Sequence, residues 1–99
     1  MNEIVILAYA VQSMWKRVGP NLIRLTADFS NNVARLEFVV HDIISAEEID
    51  DYEDAATEYL SYFENNSELD SRIVKIKGGA VSESKLSVKV FHQSGSFLR

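Results

Sequence analysis

Residues 23–41 read IRLTADFSNNVARLEFVVH, and their pattern predicts a β-hairpin. Apolar and polar side chains alternate on both sides of Asn31-Asn32, which indicates two half-buried strands, because successive side chains in a strand point to opposite faces. Asparagine tolerates the positive φ that a tight turn requires, so the Asn pair predicts the turn. The apolar residues of the two strands are Ile23, Leu25, Ala27 and Phe29, followed by Ala34, Leu36, Phe38 and Val40.

A helix is predicted before this hairpin. Asn2 can cap its start, and Gly19-Pro20 predicts its end, because Gly accepts the left-handed conformation and Pro cannot continue a helix. A second set of apolar residues lies outside the main stripe, so the helix is apolar around much of its girth. We therefore expect it to be covered on two sides or to lie in a subunit interface. The main stripe is Ile4, Leu7, Ala8, Val11, Met14, Trp15 and Val18, and the second set is Val5, Ile6, Tyr9 and Ala10.

A second helix is predicted from Ser45 to Phe63. Ser45 and Glu48 have the spacing of a capping box, and Ile44 with Ile49 has the spacing of a hydrophobic staple. The apolar stripe of this helix is Ile49, Tyr52, Ala56, Tyr59, Leu60 and Phe63.

Two more strands are predicted at the end of the chain, over 72–77 and 85–92. The residues expected to face inward are Val74 and Ile76 in the first and Leu86, Val88 and Val90 in the second. Residues 78–84 are expected to form a hairpin connection that is longer and more mobile than most. Residues 93–99 are expected to be a loose C-terminal tail.

The predicted element order is α-β-β-α-β-β. It favours a single α+β domain over residues 1–99, with a roughly four-stranded antiparallel sheet and both helices packed on one face. The order of the strands across the sheet is left open by the sequence.

The composition excludes several chemistries. The chain has no Cys, which removes disulfides, thiolate catalysis and the common zinc sites. The apolar run at residues 4–11 is far shorter than the ~20 residues that span a membrane, and no basic segment precedes it as in a signal peptide. We therefore expect a soluble, cytoplasmic protein.

The charges are strongly segregated along the chain. Eleven of the fifteen acidic residues lie between Asp42 and Asp70, a stretch without Lys or Arg, whereas residues 71–99 carry six basic residues and one acidic residue. A dipole of this kind influences which partners are attracted, because the summed surface charge steers association.

The carboxylates of the second helix cluster on the face opposite its apolar stripe. The pairs Glu47–Asp51, Asp50–Asp54 and Asp54–Glu58 are like charges at i,i+4, each of which destabilises a helix by roughly 0.2–0.5 kcal/mol. One interpretation is a solvated outer face that keeps the protein soluble. The other, favoured by the absence of interleaved Lys or Arg, is a surface for a basic partner. The predicted partner-binding residues are Glu47, Asp50, Asp51, Asp54, Glu58 and, at the edge, Tyr62.

Other candidate sites are weaker. His41 and His92 lack an evident third ligand, and the acids at 50–54 lie on a helix without the central Gly of a calcium loop. Gly78-Gly79 lacks the Lys and Ser/Thr of a phosphate-binding loop. The lysines at 75, 77, 85 and 89 fit protection of edge strands better than nucleic-acid binding, because the neighbouring acidic helix would repel phosphate. No catalytic residue, metal ion, cofactor or nucleic-acid partner is predicted, and the chain is not expected to be an enzyme.

The Cys-free α+β frame and the acidic, aromatic helix from Glu47 to Tyr62 resemble the immunity proteins of bacterial polymorphic toxin systems, including contact-dependent growth inhibition. The resemblance implies a cognate toxin, often a basic nuclease, that the protein binds and neutralises. An alternative is an intracellular chaperone for a secreted effector, which would bind as a homodimer through Val5, Ile6 and Tyr9 of the first helix.

Overall fold

The computed structural model describes residues 2–77 and 85–92. The elements follow the predicted order: α1 (Glu3–Ser13), β1 (Leu22–Ser30), β2 (Val33–His41), α2 (Ala46–Ser61), β3 (Glu68–Ile76) and β4 (Val88–His92). They form an α+β fold with two helices and one four-stranded sheet, in the strand order β3-β2-β1-β4. The expectations of a long connection at 78–84 and a loose tail at 93–99 fall outside the described residues.

The central hairpin is confirmed. β1 pairs antiparallel with β2, and the register places Leu25 beside Phe38 and Phe29 beside Ala34. Asn31 and Asn32 adopt φ of 52° and 61°, the left-handed conformation that the turn requires. The inward residues of both strands are therefore buried under the helices.

The predicted fully antiparallel sheet is wrong, because β3 pairs parallel with β2 and β4 pairs antiparallel with β1. The last two strands lie at opposite edges of the sheet, so they do not form the predicted hairpin with each other. The physical reason is α2, which supplies the crossover connection that a parallel β2–β3 pair needs.

The inward face of β3 also differs from the prediction. Leu69 and Ile73 pack against the core, and the register places Ile73 beside Phe38. Val74, expected to face inward, is 38% exposed. The strand begins at Glu68 rather than at 72. Its first half is mostly polar, so the alternation of apolar and polar residues that identifies a strand is weak there.

The side of α1 that packs on the sheet is not the main apolar stripe that the sequence predicts. The helix buries Ile6, Ala10 and Ser13, and it ends at Ser13 instead of continuing to Gly19. The left-handed residue after the helix is Lys16, with φ of 64°. Small side chains at positions 10 and 13 let α1 approach the sheet closely, which the bulkier predicted stripe would not. That stripe is mostly exposed, including Ile4, Leu7, Val11, Trp15 and Val18.

The helix α2 matches its prediction closely. Ser45 caps its start, and the buried stripe consists of Tyr52, Ala55, Ala56, Tyr59 and Phe63. Aromatic rings dominate the contact with the sheet: Phe38 stacks on Tyr52 at 5.0 Å, and Phe29 on Phe63 at 4.1 Å, between ring centroids. Such pairs add about 0.5–1.5 kcal/mol beyond area burial, so they hold α2 and the residues that end it against β2 and β1.

Candidate functional site

Four predicted binding residues form an exposed patch on the outer side of α2. Glu47, Asp50, Asp51 and Asp54, here called the acidic face, are all exposed. Within residues 2–77 and 85–92, none of them forms an ion pair with Lys or Arg or accepts a side-chain hydrogen bond. Their mutual repulsion is therefore uncompensated by these residues, and their oxygen atoms are free to contact a partner.

The other two predicted residues, Glu58 and Tyr62, are engaged within the fold. One carboxylate oxygen of Glu58 pairs with Arg17 at 2.8 Å, and the other accepts a hydrogen bond from the Tyr62 hydroxyl at 2.6 Å. The Tyr62 ring packs on Tyr9, with 5.2 Å between centroids. The expectation that the charge of Glu58 is uncompensated is thus wrong. Its partner Arg17 lies 41 residues away in sequence.

These contacts shift the protonation equilibria of the pair. The hydrogen bond from Tyr62, and then the bond and charge of Arg17, hold the pKa of Glu58 below its ordinary value. The same hydrogen bond raises the pKa of Tyr62. Glu58 therefore stays ionised and joins the end of α2 to the segment that follows α1.

A second carboxylate, Glu48, was not predicted as more than a helix cap. It is 7% exposed, and it accepts hydrogen bonds from the Tyr52 hydroxyl at 2.5 Å, the Asn21 backbone N–H at 3.1 Å and the Asn21 side-chain amide at 3.0 Å. The backbone N–H of Glu48 donates to Ser45, as the capping box predicts, but the carboxylate binds Asn21 instead of the N-cap backbone.

Gly19 explains how the buried carboxylate is accommodated. A Cβ at this position would lie 2.5 Å from the Glu48 carboxylate, and the Gly19 N–H donates to the Tyr52 hydroxyl at 3.1 Å. Burial and the bond to Glu48 raise the pKa of Tyr52. Gly19 was read as a helix stop, but its role in the structure is to permit this close approach.

A second candidate surface lies on the exposed side of α1 and of the segment that follows it, where the sequence predicts the main apolar stripe. Ile4, Leu7, Val11, Trp15 and Val18, here called the apolar face, are 74%, 38%, 44%, 70% and 50% exposed. An apolar groove of about 220 Å³ runs along one side of it. Val11, Met14, Trp15 and Val18 line the groove together with Val90 and Phe91 of β4.

The predicted dimer residues do not supply this surface. Ile6 is 2% exposed in the core, and Tyr9 packs against Tyr62 and Phe63 of α2. Ile6 is therefore not accessible to a second chain unless α1 leaves the sheet, whereas Val5 and Tyr9 are partly exposed. An interface through these three residues stays a prediction, and the exposed side of the same helix is also available.

The sheet face opposite the helices is polar. Arg24 pairs with Glu37 at 3.0 Å, and Arg35 and Arg72 each approach Asp70 at 3.7 Å. A pocket of about 370 Å³ lies over this face, lined by Arg35, Glu37, Asp70, Arg72 and Lys85 among others. Two of its cations, Arg35 and Arg72, share the carboxylate of Asp70, and Glu37 pairs with Arg24, so the lining mixes both signs of charge.

Metal-binding clusters and membrane-spanning helices are absent from the residues that the structure describes. There, no group of three or more His, Asp or Glu side chains is arranged to hold a metal ion. No helix among these residues has the length and hydropathy needed to cross a membrane.

Comparison with known proteins gives one result that covers nearly the whole chain. A family model described as MafI2 immunity protein matches residues 3–94. The match includes both helices, all four strands and every residue of the acidic and apolar faces. No curated protein matches the chain.

Proposed function

Because the chain belongs to the MafI2 immunity protein family, we propose that it neutralises a cognate toxin by binding it through the acidic face of α2. Family membership supports toxin neutralisation, and the exposed carboxylates support the choice of surface. The proposed activity is binding rather than catalysis. It would take place in the cytoplasm, where a toxin delivered by cell contact, as in contact-dependent growth inhibition, would act.

The observation that carries the choice of surface is that the four carboxylates have no ion-pair partner among residues 2–77 and 85–92. Glu47 lies in the first turn of α2, where the helix dipole favours negative charge. Asp54 lies beyond that turn and repels Asp50, at a cost of roughly 0.2–0.5 kcal/mol. A cationic partner that docks here would relieve this repulsion between carboxylates, so the complex would gain stability that the free protein lacks.

The chemistry of the surface favours a basic toxin, and a nuclease is the class that fits best. A nuclease needs Lys or Arg to bind the phosphates of its substrate, and carboxylates can occupy the same positions. Electrostatic complementarity also accelerates encounter, with association rate constants reaching ~10⁸–10⁹ M⁻¹s⁻¹ at low salt. A net charge of −5 adds to the attraction.

The proposal is tested with the cognate toxin domain and the double variant Asp50→Lys/Asp54→Lys. The matched control is Glu64→Lys/Glu68→Lys, which changes the net charge equally at two exposed acids outside the acidic face. Stopped-flow association over a series of salt concentrations is the measurement.

We expect the double variant to slow association at least ~10-fold at low salt, with a smaller difference at high salt, where surface charges are screened. The control should change the rate much less. Equal rates for wild type and the Asp50/Asp54 variant at every ionic strength would show that the toxin binds elsewhere.

A further inference from the structure

The apolar face of α1 has no role in the proposed toxin contact, yet it is the largest exposed apolar feature among the described residues. We infer that it binds a second copy of the chain, forming a twofold dimer in which the two α1 helices pack antiparallel. The inference does not depend on the proposed function, since the contact lies on a different helix.

The exposed area supports an interface of moderate strength. From the exposed fractions of its five side chains, the apolar face presents roughly 500 Å², taking ~150–250 Å² for a large side chain. A stable complex buries roughly 800 Å² on each partner. The five residues supply more than half of this area, and Ala8, Gln12 and the rim of the groove are placed to supply more.

The scarcity of charge favours a second copy as the occupant: among the described residues that line the groove, Lys16 alone is charged. Residues 4–15 form the longest stretch of the chain without Asp, Glu, Lys or Arg. Two copies, each with a net charge of −5, repel one another through most surfaces of the helix layer. They can meet at the apolar face without bringing carboxylates together. A basic toxin, by contrast, gains nothing electrostatically from a face without carboxylates.

The order of side chains along α1 is self-complementary in an antiparallel pair. If the twofold axis passes between Ala8 and Val11, these two residues of the two α1 helices oppose each other, and Ile4 at the start of one α1 lies towards the turn after the other α1, which carries Trp15. The small side chain of Ala8 at the centre permits close approach of the two helices, at the usual 8–10 Å between axes. The contact is then isologous, as expected for a homodimer.

In such a dimer the acidic face of each copy stays accessible, because the apolar face lies on the side of α1 away from α2. Tyr9 points towards α2, where it contacts Tyr62 and Phe63. Val11 and Trp15 instead line the groove with Phe91 of β4, on the side of α1 away from α2. Each dimer would therefore present two acidic faces.

The oligomeric state of the full chain in solution tests the inference. Sedimentation equilibrium over a broad concentration series should show reversible association to twice the mass of one chain. Val11→Lys should raise the dissociation constant of the dimer at least ~10-fold, because it places an unpaired charge in an apolar contact. The control Thr57→Lys adds the same charge at an exposed helical position on α2 and should leave the constant unchanged.

Two further measurements keep the test decisive. If Val11→Lys lowers the thermal stability, Ile4→Gln serves instead, since Ile4 is 74% exposed and contributes little to the core. Because the chain has no Cys, Ala8→Cys introduces a single thiol near the proposed axis. Its oxidation should yield a covalent dimer much faster than that of Asp51→Cys on the acidic face.

Three results would overturn the inference. The first is a wild-type chain that sediments as a monomer at every concentration. The second is a dimer that Val11→Lys does not weaken, or equal crosslinking rates for the two Cys variants. The third is a monomeric wild-type chain that loses toxin binding on Val11→Lys, which would assign the face to the toxin. Failure of the acidic-face proposal leaves the sedimentation and crosslinking measurements unaffected.

Discussion

Replacement of Glu48 by Ala should destabilise the protein more than any other single change to an acidic side chain of α2. The carboxylate is 7% exposed and accepts three hydrogen bonds, from the Tyr52 hydroxyl and from two N–H groups of Asn21. The substitution would leave these donors without their acceptor in a place with little access to water. It would also open a space beside Gly19.

The expected loss follows from the value of each contact. A hydrogen bond to a charged group contributes about 1.5–3 kcal/mol, and a buried donor left unsatisfied costs about 1–3 kcal/mol. The three bonds share one carboxylate, and removing that carboxylate also removes its own desolvation cost, so the terms are not additive. We expect a net loss of about 3 kcal/mol in the free energy of unfolding. For a domain of this size, this corresponds to a fall of about 10–20 °C in Tm.

Urea unfolding followed by circular dichroism measures this loss directly. The matched control is Glu47→Ala, which removes a neighbouring exposed carboxylate in the same turn of the helix and should change the free energy of unfolding by less than about 0.5 kcal/mol. Glu48→Gln keeps one oxygen acceptor and should fall between the two. If Glu48→Ala were as stable as Glu47→Ala, the buried hydrogen-bond network would contribute nothing, and our account of how α2 is held would be wrong.

Three other predictions concern the same region. Gly19→Ala should lower the free energy of unfolding by about 1–3 kcal/mol, because the new Cβ would lie only 2.5 Å from the Glu48 carboxylate and would push it aside. In a double-mutant cycle, most of this loss should disappear when Glu48 is also replaced by Ala. Lys16→Gly should stabilise the fold by about 0.5 kcal/mol, because φ of 64° strains a residue with a Cβ; a decrease in Tm would contradict this reasoning. The pKa of Glu58 is lowered in the folded state, so its stabilising contribution is present above its unfolded value near 4.5 and disappears as the pH falls through the folded value. The unfolding free energy of Glu58→Gln should therefore depend less on pH in this acidic range than that of the wild type. Parallel pH profiles for the two proteins would show that the contacts with Tyr62 and Arg17 do not lower the pKa of Glu58.

The parts of the fold that the sequence predicted correctly depend on local patterns. Alternation and the Asn31-Asn32 turn identify the β1–β2 hairpin, and the spacing of Ser45 and the aromatic stripe identify α2, since each signal lies within the element that it predicts. The pairing of β3 with β2 depends on a crossover between distant residues, which no local pattern encodes. The sequence therefore favoured a hairpin of neighbouring strands over the observed parallel pair.

The errors on α1 and in the candidate site have related causes. A helix that is apolar around its girth offers two possible inward faces, and only packing against the sheet selects Ile6 and Ala10 over Val11 and Trp15. Glu58 seemed uncompensated because its partner, Arg17, belongs to another part of the chain. The four carboxylates of the acidic face were placed correctly on an exposed surface because helical periodicity alone determines their direction.

The contacts of residues 17–21 with α2 have a consequence for how specificity can change. Asn21 and Gly19 hold the start of the helix through Glu48 and Tyr52, and Arg17 holds its end through Glu58. Because both ends are anchored, the helix is preorganised and little conformational entropy should be lost on binding. The exposed carboxylates take no part in this anchoring. Substitutions among them can accordingly adapt the protein to a diverging toxin while the scaffold that presents them keeps its stability.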